Sequence, residues 1–421
     1  MIVVTLSLDS KIEAARPGIF DIYRKKYEPF KKFDRVFLLT QDTVNFTDHL
    51  SGIIHVPCAF SKSNHLRWIL SRFTYLRWLY FFLYSLLWLI KHRRRIDLLI
   101  SGNVDSPAPV IFSMLFGVPY VIHYHYDVAF QVREINKRPM IGRLLVGLER
   151  FGLRRANCVW VTAPSLIAKV KAFGAQRVVV IPNWYEIQDD QVVTVAKSRA
   201  TGSCILFVGR LHPVKQVDVL LRALHQIKET NPNVKMCILG NGEERQNLTA
   251  LTNKLGLSEN VHFLGFVDQK TVFEMMKQSD VLVLPSKIEG NPRVLIEAMI
   301  NKVPIVASNV PGIRDIVEHG KTGYLVDQTV PTELARGIEY VLKNKEHAVC
   351  MVERAYTFAK KNFSKQYVCQ KIFRELEIIV PKYGAENIRS DAQSFRKEPP
   401  IDSISLSCLL YTSPSPRDRQ K

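Results

Sequence analysis

Two glutamates eight positions apart lie in the second half of the chain, just after an apolar run. Glu289 and Glu297 follow Val281–Leu284, a short apolar segment that ends at a proline and is typical of a buried parallel strand. Pro292 suits the entrance of a helix, where its missing N–H costs nothing. We therefore predict a loop that carries Glu289 and a helix from Arg293 that carries Glu297 about one turn inside.

That arrangement has a chemical consequence. In open α/β sheets ligands bind in the crevice at the carboxyl ends of the strands. The free N–H groups and the dipole at a helix start favour an anion. The segment therefore predicts a site for an anionic ligand such as a diphosphate.

The spacing of these glutamates resembles the E-x7-E signature of the retaining glycosyltransferases of family 4. Two glutamates eight apart are weak evidence alone, but the neighbouring sequence adds to it. Five further segments resemble the family in its order and at its spacing: Val180–Asn183, Ile205–Lys215 with a strand and G-R-x5-K, Leu239–Arg245, Val261–Val267 and Gly320–Val326. The resemblance implies an α/β protein of the GT-B fold, with two Rossmann-like βαβ domains facing each other across a cleft. It also implies that a nucleotide-diphosphate sugar is the donor.

Loss of a nucleoside diphosphate creates negative charge, which some of these enzymes neutralise with a metal held by a D-x-D motif. This chain contains no D-x-D motif, so we predict that it uses neither a metal nor another cofactor. By resemblance Arg210 and Lys215 grip the diphosphate. Arginine offers a planar fork for phosphate oxygens, and lysine supplies a compact point charge.

The resemblance also assigns the donor-binding residues. Glu289 faces the donor sugar and its anomeric region, while Glu297 accepts hydrogen bonds from the ribose hydroxyls, as a carboxylate can with both oxygens. The remaining donor-binding residues are predicted to be Gly209, Gly242, Phe266, Val267, Gly290, Asn291, Pro292 and Arg293. Gly242 is equally explained by a plain turn, and Phe266 and Val267 by a core. Asn291, Pro292 and Arg293 depart from the family's commoner Gly-Phe-Gly, which leaves the donor sugar open.

Two histidines end a predicted strand of the first half. The family often carries a histidine there that reaches across the cleft, and the strand end favours His125 over His123. Alternation along a strand would place both side chains on one side. A metal site and a plain structural histidine are the alternatives, and Asp127 is a candidate to orient the imidazole or meet the acceptor.

Length and pattern predict the domain organisation. At 421 residues the chain exceeds what one core normally serves. We predict an acceptor-binding domain at 1–182, a hinge at 183–203, a nucleotide-sugar domain at 204–360, a helix crossing back at 361–382 and a tail at 383–407. The segment 408–421 resembles a translated sequencing adapter and is not expected to be part of the fold. The strands expected in the first half are Ile2–Leu6, Arg35–Leu39, Gly52–Val56, Leu98–Ser101, Tyr120–His123 and Cys158–Thr162.

The cysteines and the first residues bear on the compartment. Seven cysteines show no metal-ligand spacing, and most lie in apolar runs, which suits a reducing cytoplasm. The first residues are typical of a strand and lack the features of a signal peptide. We therefore expect a cytoplasmic protein.

The charge and one aromatic segment point to a surface partner. The chain has a net charge of +19, and residues 1–182 carry 26 Lys and Arg against 12 Asp and Glu. Because no nucleic-acid motif accompanies this charge, an anionic membrane is favoured over nucleic acid. Trp78–Ile90 is uncharged but far shorter than the ~20 residues of a membrane span. Within 66–95 we predict either a helix in the headgroup region or a core helix, and we expect peripheral binding to the inner face of the cytoplasmic membrane.

The acceptor is the least defined part of the prediction. No glycine-rich loop follows the first strand, where many family members have one, and Lys11 and Arg16 are candidates to meet an anionic acceptor. We predict a glycan acceptor on a lipid carrier such as polyprenyl diphosphate, in cell-surface polysaccharide or lipopolysaccharide assembly. The rivals are a transferase for a soluble acceptor, a GT-B nucleotide-sugar epimerase or hydrolase, and a non-catalytic scaffold.

Overall fold

The computed structural model covers most of the chain. It describes residues 2–7, 35–40, 53–57, 74–102, 106–125, 139–187, 203–326 and 330–381, all of which belong to one compact unit. Lys11, Arg16, Asp127 and the segments 188–202 and 382–421, on which predictions were made, lie outside these residues.

The first half forms a parallel sheet whose described strands follow the order β3-β2-β1-β4-β5-β6-β7. All six strands predicted from the sequence are present to within one or two residues, and β7 was not predicted. The strands are β1 Ile2–Ser7, β2 Arg35–Thr40, β3 Ile53–Pro57, β4 Leu98–Gly102, β5 Tyr120–Tyr124, β6 Cys158–Val161 and β7 Val178–Val180.

The second half forms another parallel sheet, with the described strands in the order β10-β9-β8-β11-β12-β13. The two-sheet α/β architecture expected from the sequence is therefore confirmed. The strands are β8 Cys204–Val208, β9 Lys235–Leu239, β10 Val261–Gly265, β11 Val281–Leu284, β12 Ile305–Ser308 and β13 Tyr324–Val326.

Helices cover the sheets, as parallel strands require. The first sheet and the helices beside it form the first lobe, whose described helices are α1 Thr74–Lys91, α2 Ala108–Phe116, α3 Pro139–Arg155 and α4 Ile167–Ala172. Those that follow are α5 Val217–Thr230, α6 Arg245–Lys254, α7 Gln269–Lys277, α8 Arg293–Ile300, α9 Pro311–Arg314, α10 Pro331–Lys343, α11 Lys345–Phe363 and α12 Lys365–Ile379.

The first sheet has a different cover on each face. One face packs with α1, α2, α3 and α4 around buried residues such as Phe81 and Phe112. The other face packs with α12, whose Ile372 and Leu376 join the buried residues of β4, β5 and β6. Arg177 also donates a 2.6 Å hydrogen bond to Glu375 of α12. The last helix that the structure describes therefore lies on the first lobe.

Helix α1 carries apolar residues on two opposite faces, one buried and one exposed. Phe81, Ser85 and Leu89 are buried against the sheet, so the helix is part of the core. On the opposite side Leu79, Leu83 and Leu87 are exposed. No helix among the described residues is long and apolar enough to cross a membrane.

The carboxyl ends of the two sheets face each other. The Asn291 amide, in the loop after β11, donates a 2.6 Å hydrogen bond to the Thr162 carbonyl after β6. The backbone N–H of Ser165 donates to the Asp315 carboxylate at 3.0 Å. In each sheet the strand order reverses beside the first strand, between β1 and β4 and between β8 and β11. These switch points are where ligands bind in open α/β sheets.

Candidate active site

The loop after β8 carries both predicted cations. It ends in a 3-10 turn, Pro213–Lys215, whose start is capped because the Val214 N–H donates to His212 Nδ1 at 3.2 Å. Gln216 then adopts a left-handed conformation, with φ 48° and ψ 42°, before α5 begins. Non-glycine residues are strained there, and such strain clusters at functional sites. The tight turn places Lys215 beside the loop that follows β11.

Lys215 meets the first glutamate of the pair. Its ammonium donates a hydrogen bond to Glu289 Oε1, and the carboxylate is largely buried. The two loops are also joined by their backbones, since the Lys287 N–H donates to the Val214 carbonyl at 2.8 Å. The loops after β8 and β11 thus form one unit at the switch point of the second sheet.

Arg210 has an acidic partner that the sequence did not suggest. Its guanidinium lies 3.2 Å from Glu243 Oε2, and His212 Nε2 lies 3.3 Å from the other oxygen. Desolvation raises the pKa of Glu243, but a backbone hydrogen bond and the neighbouring Arg210 and His212 outweigh it, so its pKa falls below the ordinary value. Glu243 therefore stays ionised and holds the Arg210 side chain.

Three glycines allow these loops to touch. A Cβ on Gly240, whose φ is 129°, would lie 1.9 Å from the Gly209 carbonyl oxygen. One on Gly242 would lie 2.2 Å from the Leu211 carbonyl oxygen, which fits the plain-turn alternative, and donor binding at Gly242 stays a prediction. One on Gly312, which no sequence motif marked, would lie 2.2 Å from the backbone carbonyl oxygen of Glu289. The backbone at Glu289 therefore packs directly against Gly312.

The helix with the second glutamate begins where the sequence predicted. Helix α8 starts at Arg293 after the extended backbone of Pro292. Glu297 Oε1 accepts hydrogen bonds from the Tyr185 hydroxyl at 2.9 Å and from Gln269 Nε2 at 3.5 Å. The carboxylate retains further acceptor capacity, because each ionised carboxylate has about four lone-pair sites.

Tyr185 is the residue of this region that sequence reasoning missed, because it lies in the segment predicted as a hinge. Its hydroxyl also accepts from Arg293 Nε at 2.9 Å. Burial, with Glu297 nearby, raises the pKa of Tyr185 well above its usual value, so the phenol stays protonated and donates to Glu297. Desolvation lowers the pKa of Arg293, but Tyr185 and Glu297 more than compensate and leave it raised.

The predicted base-binding segment follows β10. Phe266 is 59% exposed, which does not fit the core alternative for its ring. Val267 is half-buried and packs against the hydrophobic core of the second sheet. An exposed aromatic ring at the carboxyl edge of a sheet suits stacking with a nucleobase. Base contact stays a prediction for both residues.

His125 is the first residue after β5. Its ring centroid lies 4.2 Å from that of His123, so the two side chains share one side as alternation predicts. Its carbonyl accepts a 3.1 Å hydrogen bond from Thr162 Oγ1, and Thr162 in turn is bonded to Asn291. The structure thus places His125 two hydrogen bonds from the loop that carries Glu289 and Asn291. In the described part of the chain no group of three His, Cys, Asp or Glu is arranged to hold a metal.

Sequence models of two families match the chain in succession. The glycosyl transferase 4-like domain matches residues 33–184, and the glycosyl transferases group 1 family matches residues 194–358. An uncharacterised glycosyltransferase of Methanocaldococcus jannaschii is 36% identical over 41% of this chain, which spans only 43% of that relative. The alpha-D-kanosaminyltransferase of Streptomyces kanamyceticus is 24% identical, over 66% of this chain and 78% of its own. A lipopolysaccharide core biosynthesis glycosyltransferase of Rhizobium meliloti, LpsE, is 27% identical over 58% and 68%.

Solved structures share the fold. Sucrose-phosphate synthase from Thermosynechococcus elongatus superimposes with a TM-score of 0.73 at 18% identity, over 91% of this chain and all of its own. HepE from Anabaena, in complex with UDP-glucose, does so with a TM-score of 0.68 at 20% identity, over 90% of this chain and all of its own. With two family models in order and a shared two-lobed architecture, the chain belongs to the group 1 glycosyltransferases and has the GT-B fold.

Proposed function

We propose that this protein is a retaining, metal-independent glycosyltransferase that moves a sugar from a nucleotide-diphosphate sugar to a glycan acceptor. The observation that carries the proposal is the pairing of Lys215 with Glu289 at the β8/β11 switch point. Lys215 lies on the same loop as Arg210, which follows β8. A cation and a carboxylate are thereby held at the edge where a diphosphate and the sugar attached to it would meet. UDP-glucose, which HepE holds, is the first donor to test.

The reaction is a single substitution at the anomeric carbon. The bond from that carbon to the diphosphate oxygen breaks, and a bond to the acceptor hydroxyl oxygen forms on the same face of the sugar. The hydroxyl proton passes to the departing diphosphate. Arg210 and Lys215 stabilise the charge that grows there, and one preorganised buried donor of this kind is worth about 3 kcal/mol. Glu297 holds the ribose, and Asn291 and His125 close the sugar pocket from opposite lobes.

A donor panel tests this proposal. Thermal unfolding is measured with UDP-glucose, UDP-N-acetylglucosamine and GDP-mannose, because a ligand that binds only the folded state raises the melting temperature. We expect one donor to raise it in the native protein and much less in Arg210→Ala. With that donor and a glycan acceptor, the product should keep the donor's anomeric configuration by NMR. An inverted product would disprove the retaining mechanism.

The same assay separates the rivals. An epimerase or hydrolase forms product from the donor alone, at a rate comparable to that with an acceptor. A non-catalytic scaffold shows no donor-dependent shift, and Arg210→Ala changes nothing. The exposed pair Arg336 and Glu333, 3.2 Å apart on α10, supplies the matched control variant Arg336→Ala.

We further propose that the acceptor is a lipid-linked glycan and that the protein works on the inner face of the cytoplasmic membrane, in cell-surface polysaccharide or lipopolysaccharide assembly. The name of LpsE supports this setting by analogy. The first lobe supports it physically through an apolar surface on α1 and α2, which pack against each other. Its exposed residues are Leu79, Leu83, Leu87, Met114, Leu115 and Phe116.

The charge beside this surface indicates what binds it. Arg93, Arg94 and Arg95 are exposed at the end of α1, and the Arg93 guanidinium lies 5.8 Å from the centre of the Phe116 ring. Apolar side chains with a run of arginines at one end match an anionic bilayer, where each basic residue contributes about 1 kcal/mol. An apolar protein partner would not account for the three arginines.

Flotation with vesicles tests this part separately. We expect the protein to float with phosphatidylglycerol vesicles, to float poorly with phosphatidylcholine vesicles, and to be released in part by high salt. Leu83→Gln with Leu87→Gln should lower flotation, whereas Ile378→Gln, at an exposed position on α12, should not. A native protein that never floats supports the soluble-acceptor alternative instead.

A further inference from the structure

The main chain crosses between the lobes at two places that touch each other. The first crossing follows Ile181, a core residue of the first lobe, and the second is the junction of α11 and α12. The Tyr185 N–H donates to the Phe363 carbonyl, and the Lys365 N–H donates to the Tyr185 carbonyl, both at 2.8 Å. With Ser364 between them, the crossings form a short parallel bridge. Any rotation of one lobe against the other must therefore turn at this bridge.

The side chain of Tyr185 leaves the bridge toward α8. It is 6% exposed and belongs to the hydrophobic core of the second lobe. Its hydroxyl oxygen lies 2.9 Å from Glu297 Oε1 and 3.3 Å from the Arg293 carbonyl oxygen, so the shorter and charge-assisted hydrogen bond is the one to Glu297. The Arg293 guanidinium lies 5.1 Å from the ring centre and donates to the hydroxyl. The residue at the crossing is thus bonded directly to the carboxylate predicted to hold the ribose.

A second contact joins the crossing to the sugar side of the site. The Asn183 amide lies 3.1 Å from Asn291 Oδ1 and 3.3 Å from the Asn291 carbonyl. Asn291 also makes the 2.6 Å bond to Thr162 in the first lobe. Two alternate residues of the crossing, Asn183 and Tyr185, therefore hold the two ends of the segment from Asn291 to Glu297.

We propose that Tyr185 is a positioning residue that couples binding of the nucleotide ribose at Glu297 to the relative orientation of the two lobes. A ribose that bonds to Glu297 fixes the carboxylate, the carboxylate fixes the Tyr185 hydroxyl, and Tyr185 fixes the bridge at which the lobes turn. The coupling rests on the role proposed for Glu297. It extends that role, because it makes nucleotide binding the event that sets lobe closure.

Small-angle scattering with titrated UDP, and with GDP in parallel, tests the coupling. For the native protein we expect the radius of gyration to fall as the nucleotide saturates. Tyr185→Phe should bind the nucleotide about tenfold more weakly, the loss of one hydrogen bond to a charged group, and at saturation should lose most of the change in radius. Tyr120→Phe is the matched control, since it removes a buried hydroxyl bonded to Ser101 at 2.7 Å, away from α8, and should behave as native.

Two further variants show whether Tyr185 acts through Glu297. Tyr185→Phe and Glu297→Ala should be non-additive in nucleotide affinity, because each removes the same hydrogen bond. Gln269→Ala removes another hydrogen-bond donor to Glu297 without touching the crossing, so it should weaken binding yet keep the full change in radius at saturation. If Tyr185→Phe does not fold, Glu297→Ala severs the bond from its other end and must lose the change in radius.

These experiments distinguish failure of the Tyr185 coupling from failure of the proposed function. If the native protein binds neither nucleotide, the proposed function itself fails. If it binds and contracts, and Tyr185→Phe at saturation contracts equally, the coupling alone is wrong. Additive effects of Tyr185→Phe and Glu297→Ala would equally disprove it.

Discussion

The ammonium of Lys215 donates a hydrogen bond to the carboxylate of Glu289, across two loops that follow adjacent strands. The pair joins the cation predicted to hold the diphosphate to the carboxylate predicted to face the sugar. A lysine has three N–H donors, so Lys215 can retain Glu289 and still donate to a phosphate oxygen. The carboxylate is thereby placed without an uncompensated buried charge, which would be costly.

Lys215→Ala should lower kcat by about 10² to 10³, the usual cost of one preorganised donor to transition-state charge. It also leaves Glu289 without this cation, so the binding of the donor sugar should weaken as well. Steady-state kinetics with the donor from the thermal-shift panel measures both effects.

Lys343→Ala is the control for that experiment, because Lys343 pairs with Glu339 at 3.2 Å on an exposed face of α10. Its kinetics should match those of the native protein. A kcat for Lys215→Ala within twofold of native would remove Lys215 from the catalytic machinery.

Fixed cations also predict how the protein responds to a chelator. In the proposed mechanism Arg210 and Lys215 supply the positive charge that a divalent metal supplies elsewhere, so turnover should be unchanged by excess EDTA. Added Mg²⁺ or Mn²⁺ should not raise it. Loss of turnover in EDTA, with recovery on adding Mn²⁺, would show that the cations alone are insufficient.

The sequence predicted the strands and the start of α8 because the signals for them are local. The apolar run Val281–Leu284 ends where the strand ends, and Pro292 marks the start of α8 at Arg293. Both effects act within a few residues of chain, so no knowledge of the tertiary structure was needed. The donor-binding roles of these residues rest on the family resemblance and stay predictions.

The partners of the predicted residues were not accessible in the same way. Tyr185 lies in a polar segment with no apolar period, and its contact with Glu297 spans 112 residues of sequence. Glu243 is one of many exposed acids until folding brings it beside Arg210. The short strand β7 was also missed, because three valines are too few to show a period. The Tyr185–Glu297 contact, the Glu243–Arg210 contact and strand β7 all depend on pairing between distant parts of the sequence, which local propensity does not reveal.

Gly312 gives a prediction that follows from packing alone. A methyl group there would lie 2.2 Å from the carbonyl oxygen of Glu289 and 2.6 Å from that of Gly290, so Gly312→Ala must displace the loop that carries Glu289. A misplacement of about 1 Å can cost 10²-fold in rate, so we expect turnover to fall strongly.

Gly147→Ala on α3 is the matched control, because a methyl group there meets nothing within 4 Å. It should stabilise its helix by about 0.5 to 1 kcal/mol and leave turnover unchanged. Native turnover in Gly312→Ala would mean that the position of Glu289 does not limit the reaction.

Alkaline unfolding tests the environment of Tyr185. Burial raises its pKa in the folded state above the ordinary value near 10, so both states are protonated at neutral pH and the stabilising contribution is complete there. Above pH 10 the unfolded chain loses this proton while the folded protein keeps it. The free energy of unfolding therefore falls with rising pH, by up to about 1.4 kcal/mol per unit from this group.

Tyr185→Phe lacks that proton, whereas the other tyrosines titrate in both proteins and cancel in the comparison. At pH 8 the variant should be less stable by about 1 to 3 kcal/mol, because Glu297 and Arg293 lose a buried partner. Between pH 10 and 11 the difference should shrink by about 1 kcal/mol, since only the native protein pays for keeping the phenol protonated. Urea unfolding at pH 8, 10 and 11 measures this. Parallel pH curves for the two proteins would mean that the hydroxyl of Tyr185 is solvated and not bonded to Glu297.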